Sequence, residues 1–271
     1  MKNHLLRGHA PITDEAWRQI DEEAKERLVP ALGGRKLVDF DGPRGWQHSA
    51  TNLGRTDRES KAPTKGVFLT SRRVLPLVEL KTPFSLSREE LADLDRGAVD
   101  ADFATLDEAA HQTAVAENLA IFHGLEASGI DGICATTSHN SIPLGDNNFE
   151  RYPEHIAKAI EMLLTAGVEG PYGVALSPDS YTGVVETNEG GYPLLQHMRK
   201  ILDGGPLVWA PGLEGAVVAS LRGGDFLFES GQDLSVGYES HDADLVNFYI
   251  EESFSFRVAT PEAAVALTIQ T

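Results

Sequence analysis

The chain has 271 residues, 41% of them hydrophobic, and a formal net charge of −18 at pH 7. This is enough apolar material for one large domain or two small ones. The negative charge argues against general nucleic-acid binding, which needs clustered lysine and arginine. The single cysteine, Cys134, excludes an intrachain disulfide and a zinc site built from cysteine alone. Because we find neither a signal peptide nor an apolar run that could span a membrane, we expect a cytoplasmic protein without a membrane partner.

An amphipathic helix is predicted near the N-terminus, from residue 14 to residue 29. Thr13 can cap it, and acidic residues occupy its first turn. Pro30 is expected to end it. Its apolar stripe consists of Trp17, Ile20, Ala24 and Leu28.

The charge is uneven along the chain. Segment 44–73 contains seven basic and two acidic residues, a net charge of +5, so the remainder carries −23. Residues 47–66 are polar and form an unusually long loop for a compact domain, flanked by strand-like segments near 67–69 and 75–80. The loop is either disordered or an extended arm that docks onto the acidic body of another copy. A solvated loop without a specific contact is the alternative.

Two further helices are predicted from the capping boxes Ser87-x-x-Glu90 and Thr105-x-x-Glu108. The second runs from residue 106 to 122, about 25 Å at 1.5 Å per residue, and is a candidate spine. Later segments give a helix stopped by Gly167, a strand at 174–176 and helices on both sides of a glycine-rich turn at 187–193. This mixed order predicts an α+β protein.

The most informative segment is a predicted strand from residue 245 to residue 258. Its residues alternate between a polar and an apolar face, with Glu252 interrupting the apolar one, and we expect one face to be buried. At about 3.3 Å per residue the strand spans about 45 Å, well beyond the usual length. That length suits a structural role better than a catalytic one.

No catalytic or metal-binding pattern emerges from the sequence. The nine histidines lack metal-site spacing, and neither a phosphate-binding loop, a dinucleotide fingerprint nor a nucleophile elbow is present. Residues 240–244 are typical of a turn between strands. Cys134, near His139, is more typical of a packed cysteine than of a nucleophile. We therefore predict a self-assembling subunit without enzyme activity and without a metal.

Short sequence blocks identify a family. In their order and spacing, over nearly the whole length, they resemble the encapsulins, the bacterial and archaeal nanocompartment shell proteins formerly grouped with linocin-like bacteriocins. The blocks are Ala10-Pro11-Ile12-Thr13 with Trp17, Gly34-Arg35-Lys36-Leu37-Val38-Asp39, Gly42-Pro43-x-Gly45-Trp46, Ile121-Phe122-x-Gly124, Gly170-Pro171-Tyr172, Gly191-Tyr192-Pro193, Arg222-Gly223-Gly224-Asp225-Phe226 and Gly231-Gln232-Asp233-Leu234-Ser235-Val236-Gly237-Tyr238.

The resemblance to the type 1 (family 1) members implies the α+β fold of tailed-phage (Hong Kong phage) major capsid proteins. That fold has a peripheral domain with a spine helix, an axial domain and an elongated loop that reaches a neighbouring subunit. The implied segments are 1–46 for the N-terminal helix and the start of the peripheral domain, 47–75 for the elongated loop, 76–130 for the peripheral domain with its spine helix, 131–221 for the axial domain, 222–258 for peripheral strands and 259–271 for a return to the axial domain.

The resemblance also implies sixty copies in an icosahedral shell and a groove that binds the C-terminal targeting peptide of a cargo enzyme. The implied groove residues are Leu28, Leu32, Arg35, Leu37 and Asp39 on one side, and Asp233 and Tyr238 on the other. The implied five-fold pore loop comprises Thr187, Asn188, Glu189, Gly190, Gly191 and Tyr192. An alternative is that the leucines only seal the helix to the sheet.

Some family members bind a flavin through a tryptophan, but this chain has Glu89 at that position, so we expect no cofactor. The resemblance implies a dye-decolourising peroxidase or a ferritin-like protein as cargo, with a role in oxidative stress or iron storage. Two alternatives remain open. The first is a prophage major capsid protein, and the second is a bacteriocin or protease-like enzyme, for which the sequence offers no convincing nucleophile and base.

Overall fold

The computed structural model describes residues 4–59, 63–145 and 148–269. The helices are α1 (Asp14–Ala31), α2 (Arg88–Asp95), α3 (Ala104–Phe122), α4 (Ile133–Thr136), α5 (Tyr152–Thr165), α6 (Pro178–Glu186) and α7 (Leu194–Ile201). The strands are β1 (Asp39–Asp41), β2 (Ala50–Arg58), β3 (Thr70–Pro76), β4 (Val78–Ser87), β5 (Gly124–Leu125), β6 (Ile130–Asp131), β7 (Ile142–Leu144), β8 (Tyr172–Leu176), β9 (Asn188–Glu189), β10 (Tyr192–Pro193), β11 (Leu207–Trp209), β12 (Ala216–Ser220), β13 (Phe226–Ser230), β14 (Ser235–His241), β15 (Leu245–Val258) and β16 (Ala264–Ile269). Among the residues that the structure describes, no helix is both long and apolar enough to span a bilayer.

The strands form two five-stranded sheets with separate cores. In one sheet, β15 pairs with β4 along one side and with β13 and β14 along the other, and β1 lies beyond β13. The other sheet has the order β11-β8-β12-β16-β7. The core under α1 and α2 contains Phe84, Phe248 and Ile250, and the core of the second sheet contains Val174 and Val217.

Helix α3 and strand β15 run through both cores. The first half of α3 buries Leu106 and Ala110 in the core under α1, whereas its last turn buries Ile121 and Phe122 in the other. Strand β15 likewise passes from one core to the other along its length. The predicted spine is therefore confirmed as an element, and its buried residues do not follow a single apolar stripe, since Thr113, Glu117 and Asn118 are buried with them.

The bounds predicted for the long strand are confirmed, but the prediction of one buried face is wrong. Both faces of β15 are covered over most of its length. Its polar face lies under neighbouring segments: Ser255 hydrogen-bonds to Thr51 at 2.5 Å, and Ser253 accepts the backbone N–H of Gln232 at 2.8 Å. Period-two patterning identified the strand, but these contacts decide its burial.

Helix α1 begins as predicted and continues past its expected end. The Thr13 hydroxyl oxygen accepts the N–H of Ala16 at 3.1 Å and caps the helix. Pro30 lies inside the last turn instead of ending it. The helical hydrogen bonding continues beyond the proline, since the N–H of Leu32 donates to the carbonyl of Leu28 at 3.0 Å.

Of the two predicted capping boxes, only the first keeps its N-cap residue, and Glu90 of that box accepts the backbone N–H of Asp102 at 3.1 Å. Ser87 caps α2 by accepting the N–H of Glu89 at 3.1 Å. Helix α3 instead begins one residue before Thr105, whose hydroxyl donates to the carbonyl of Ser85 at 2.6 Å. A contact with strand β4 therefore replaces the predicted cap at this helix. Asp102 accepts the N–H of Ala104 at 2.9 Å beside the helix start.

The polar segment after residue 47 forms an antiparallel β-hairpin of β2 and β3, irregular in register between Asn52 and Arg55. The second strand begins at Thr70, so the strand predicted at 67–69 is wrong. Polarity alone predicted a loop at 47–66, because both faces of this hairpin lie largely in solvent and its strands therefore lack an apolar face. Val67, Phe68 and Leu69 are exposed near its end, and Phe68 retains 77% of its accessible surface.

Candidate functional site

A groove lies between helix α1 and strand β14. Its volume is about 450 Å³. Leu28 and Leu32 supply much of its apolar wall because they fall on the inner stripe of α1 and just beyond the end of that helix. The remaining lining residues are Leu5, Arg7, Asp21, Ala24, Lys25, Val29, Arg35, Asp233, Leu234, Ser235, Val236 and Ile250.

The structure brings four of the seven implied groove residues together. Leu28, Leu32, Arg35 and Asp233 all line the groove. The other three, Leu37, Asp39 and Tyr238, have different surroundings.

Leu37 is 2% exposed and packs in the core of the second sheet. Asp39 accepts the backbone N–H of Gly224 at 2.7 Å and holds a turn. The hydroxyl of Tyr238 hydrogen-bonds to His241 at 2.5 Å, and its ring belongs to the core under α1. None of the three lines the groove.

Arg35 connects the groove to a buried acidic cluster. Its Nε donates to Glu117 at 2.6 Å, one terminal nitrogen to Asp233 at 2.8 Å and the other to Glu252 at 2.8 Å. Glu117 and Glu252 are almost fully buried, whereas Asp233 is partly exposed at the groove. Arg35 is thus fixed by three carboxylates, each from a different part of the chain.

Ionising both buried carboxyl groups, those of Glu117 and Glu252, would cost much free energy. Burial raises the pKa of Glu117, and the contact with Arg35 opposes this shift. Burial and the neighbouring Glu117 hold the pKa of Glu252 well above its usual range. We therefore assign a proton to Glu252, which hydrogen-bonds with Glu117 while Arg35 neutralises the remaining charge.

The sequence analysis missed the contribution of the N-terminal residues to this groove. Leu5 and Arg7 line it, and Arg7 forms two hydrogen bonds with Asp21, at 3.0 and 2.7 Å. The backbone N–H of Tyr238 donates to the carbonyl of Leu5 at 2.9 Å. The sequence signal was limited to the pair Leu5 and Leu6, since a turn followed by the single 3-10 turn Arg7–His9 is too short to show a periodicity.

The implied pore loop forms a small hairpin. Asn188 pairs with Pro193 and Glu189 with Tyr192. Gly190 and Gly191 have φ values of 56° and 86°, the left-handed conformations that a tight two-residue turn requires. Helices α6 and α7 flank the hairpin as predicted, so the predicted tip is confirmed as a structure, while its place at a pore stays a prediction.

The structure does not support a cysteine nucleophile at Cys134. Burial raises the pKa of the Cys134 thiol to about 12, the opposite of what a nucleophile needs. His139 hydrogen-bonds to the carbonyl of Glu262 at 2.9 Å. Among residues 4–59, 63–145 and 148–269, no three histidine, cysteine, aspartate or glutamate side chains are placed to hold a metal ion.

Comparison with known proteins decides the family. The profile of the family described as "Encapsulating protein for peroxidase" matches residues 1–255. The type 1 encapsulin shell protein of Rhodospirillum rubrum is 44% identical over 271 residues, covering 98% of this chain and 96% of its own. The chain belongs to the encapsulin shell protein family. The family member from Mycobacterium tuberculosis is 42% identical over 266 residues, which is 98% of this chain and 99% of that protein.

Solved structures confirm the fold. A virus-like particle protein of Pyrococcus furiosus superposes with a TM-score of 0.60 at 18% identity, covering 94% of this chain and 98% of that one. The capsid protein of an empty GTA particle gives a TM-score of 0.53 at 16% identity, covering 90% and 91%. Both likenesses bear on architecture alone. The α+β capsid fold implied by the family resemblance is confirmed, while the residue limits of its domains stay a prediction.

Proposed function

We propose that this chain is the structural subunit of a nanocompartment, and that sixty copies close into an icosahedral shell around a cargo enzyme. The observation that carries the proposal is the 44% identity to a type 1 encapsulin shell protein over nearly the full length of both chains. Catalysis then belongs to the cargo and not to the shell. A peroxidase cargo agrees with the family description, and a ferritin-like cargo is the second option. The compartment is proposed to be cytoplasmic.

The β2–β3 hairpin supports assembly. It carries basic residues on a chain of net charge −18, and Phe68 near its end has 77% of its surface exposed. A large exposed apolar residue flanked by cations is typical of an interface rather than of a free surface. Separate donor and acceptor surfaces generate heterologous contacts, which closed shells of many copies require.

The groove between α1 and β14 supports peptide binding. Leu28 and Leu32 provide apolar pockets, and Asp233 and Arg35 provide polar anchors. An extended peptide that adds to a strand edge gains affinity from backbone hydrogen bonds and specificity from such pockets. We propose that the C-terminal targeting peptide of the cargo binds here.

A prophage major capsid protein is the second candidate, because the capsid fold is compatible with either role. The charge of −18 per subunit argues against it, because a shell that packages nucleic acid must tolerate many phosphates inside. The two candidates share assembly and differ in what they enclose.

Expression of the chain alone and together with a peroxidase or ferritin-like enzyme that carries a C-terminal tag tests the proposal. We expect uniform hollow spheres by negative-stain microscopy in both cases, and co-elution of the enzyme only when its tag is present. An untagged enzyme is the matched control. A monomer or dimer by size-exclusion chromatography would contradict the shell, and tag-independent co-elution would contradict the peptide groove.

A further inference from the structure

The proposed peptide groove already holds part of its own chain. Residues 4–10, here called the N-terminal strap, lie against the outer edge of β14, where the N–H of Tyr238 donates to the carbonyl of Leu5 at 2.9 Å. Backbone N–H groups point alternately to the two edges of a strand, so the N–H of Val236, two residues before Tyr238, faces the same edge. Val236 also lines the groove. A peptide that adds to this edge therefore meets the strap.

Side-chain contacts hold the strap at two points. His4 hydrogen-bonds to Glu251 at 2.7 Å and stacks on the ring of Trp46 with centroids 4.1 Å apart. Arg7 pairs with Asp21 at 2.7 Å. The side chains of His4 and Arg7 retain 24% and 26% of their surface, and Asp21 retains 45%. An ion pair as exposed as Arg7–Asp21 contributes little to stability, although Arg7 also lies 4.0 Å from the centroid of the Trp17 ring. The contact of His4 with Glu251, which is only 10% exposed, is therefore the stronger attachment of the strap.

The room left beside the strap is small. With the strap in place, the groove has a volume of about 450 Å³. Small-molecule sites occupy about 300–1,000 Å³. A peptide of six extended residues is about 20 Å long at 3.3 Å per residue and carries several side chains. Leu5 and Arg7 line this space, so a peptide of that length that adds to β14 meets them.

We propose that the strap is a displaceable occupant of the groove and that an incoming extended peptide must replace it. The inference rests on the proposed function, since it adds a regulatory step at the same groove. The measured affinity for a peptide is then the intrinsic affinity reduced by the fraction of subunits whose strap is open. Loosening the strap should therefore strengthen loading.

Hydrogen exchange on assembled full-length protein tests the strap itself. His4→Ala removes one clamp without changing a residue that lines the groove. We expect the segment containing Tyr238 to exchange about tenfold faster than in the unmodified chain, because the open state becomes more populated. His9→Ala is the matched control, since His9 lies exposed in the same strap. Equal exchange in both variants would overturn the proposal.

A synthetic copy of the strap tests replacement. The probe is the acetylated and amidated peptide His-Leu-Leu-Arg-Gly-His-Ala, with the sequence of residues 4–10. Added at saturating concentration to the His4→Ala protein, it should slow exchange at Tyr238 at least threefold, whereas a scrambled peptide should not. Failure of the probe to protect this segment, or equal protection by the scrambled peptide, would overturn replacement.

Cargo loading separates this inference from the proposed function. At limiting cargo, His4→Ala shells should retain several-fold more tagged enzyme than His9→Ala shells. Reduced loading would identify the strap as a required wall and overturn displacement. If exchange and probe binding behave as expected while no variant holds tagged enzyme, the proposed cargo site fails and the strap remains a replaceable occupant.

Discussion

Glu252 lies on a face of β15 that the sequence pattern assigns to apolar residues, and its surroundings explain why a carboxyl group is tolerated there. Ile250 belongs to one core and Phe254 to the other, so Glu252 sits at the boundary between them. Glu117 occupies the equivalent boundary on α3, and Arg35 bridges the two carboxyl groups. A buried ion pair is weak evidence for stability, but removing its only cation leaves uncompensated charge.

Glu252 gives a prediction for the dependence of stability on pH. Its pKa in the folded chain is well above its usual range, so between pH about 4.5 and the raised pKa the native state holds a proton that the unfolded chain has released. Stability contributed by this group is complete below the lower limit and is lost as pH rises through the window. The loss is up to about 1.4 kcal/mol per pH unit.

Glu252→Gln removes the titratable carboxyl group and keeps the shape of the side chain. We expect the melting temperature of the variant, relative to the unmodified protein, to rise between pH 5 and pH 7 in thermal unfolding of shells. Glu126→Gln, at an exposed position, is the matched control and should show no such trend. A difference for Glu252→Gln that stays constant with pH would contradict the assigned proton.

Val29 gives a prediction for the groove that leaves the core intact. Val29 lines the groove and is 54% exposed, whereas Leu28 beside it is 6% exposed and packs in the core. Val29→Asp should therefore change stability by no more than about 0.5 kcal/mol. A charge on the apolar rim should reduce loading of tagged cargo about tenfold, which corresponds to about 1.4 kcal/mol of binding free energy.

The measurement is the ratio of cargo to shell protein in purified particles. Val99→Asp is the matched control, because it makes the same change at a position that is 99% exposed and outside this groove. Both variants should give normal spheres. Equal loading in the two would mean that this rim does not contact the peptide.

At the scale of elements, the β2–β3 hairpin exposes a run of three large apolar side chains to solvent. Phe68 is 77% exposed, and the guanidinium group of Arg58 lies 4.8 Å from its ring centroid. Val67 and Leu69 beside it are 49% and 45% exposed. An apolar group that remains open in one subunit gains its stabilising burial only against another.

Phe68→Ser should therefore weaken assembly without unfolding the subunit. A buried aromatic anchor commonly contributes about 2–4 kcal/mol at an interface. We expect shells of this variant to dissociate at a lower guanidinium concentration, or to fail to form, in light-scattering measurements. Lys65→Ser, an exposed change in the same hairpin, should have a much smaller effect. Unchanged dissociation of the Phe68→Ser shells would exclude this tip from the contacts between subunits.

Sequence patterns predicted the helices and strands better than they predicted which side chains those elements bury. The stripe of α1 and the bounds of β15 follow from local periodicity, which the backbone obeys wherever the element packs. The covered polar face of β15 depends on Thr51 and Gln232, which are distant in sequence. The burial of Leu37 and Tyr238 in the two cores likewise depends on contacts that no local pattern specifies, and their role in peptide binding, which the family resemblance implied, stays a prediction.

At the scale of the whole molecule, net charge favours a compartment over a nucleic-acid container, whereas mass reports the number of copies. Sixty copies of a 29.3 kDa chain have a combined mass of roughly 1.8 MDa. At −18 per subunit, such a shell carries roughly a thousand negative charges, and packaged phosphates would add to the repulsion. An enclosed enzyme faces no comparable penalty.

We therefore expect particles of roughly 1.8 MDa by native mass spectrometry, with ultraviolet absorbance ratios of protein alone, when the chain is expressed without cargo. Nuclease treatment before and after disassembly provides the control, since nucleic acid adsorbed outside is degraded in both cases and enclosed nucleic acid only in the second. Nuclease-protected nucleic acid inside uniform shells would favour the capsid reading. A different discrete mass would change the copy number, because closed symmetry allows only certain numbers of subunits.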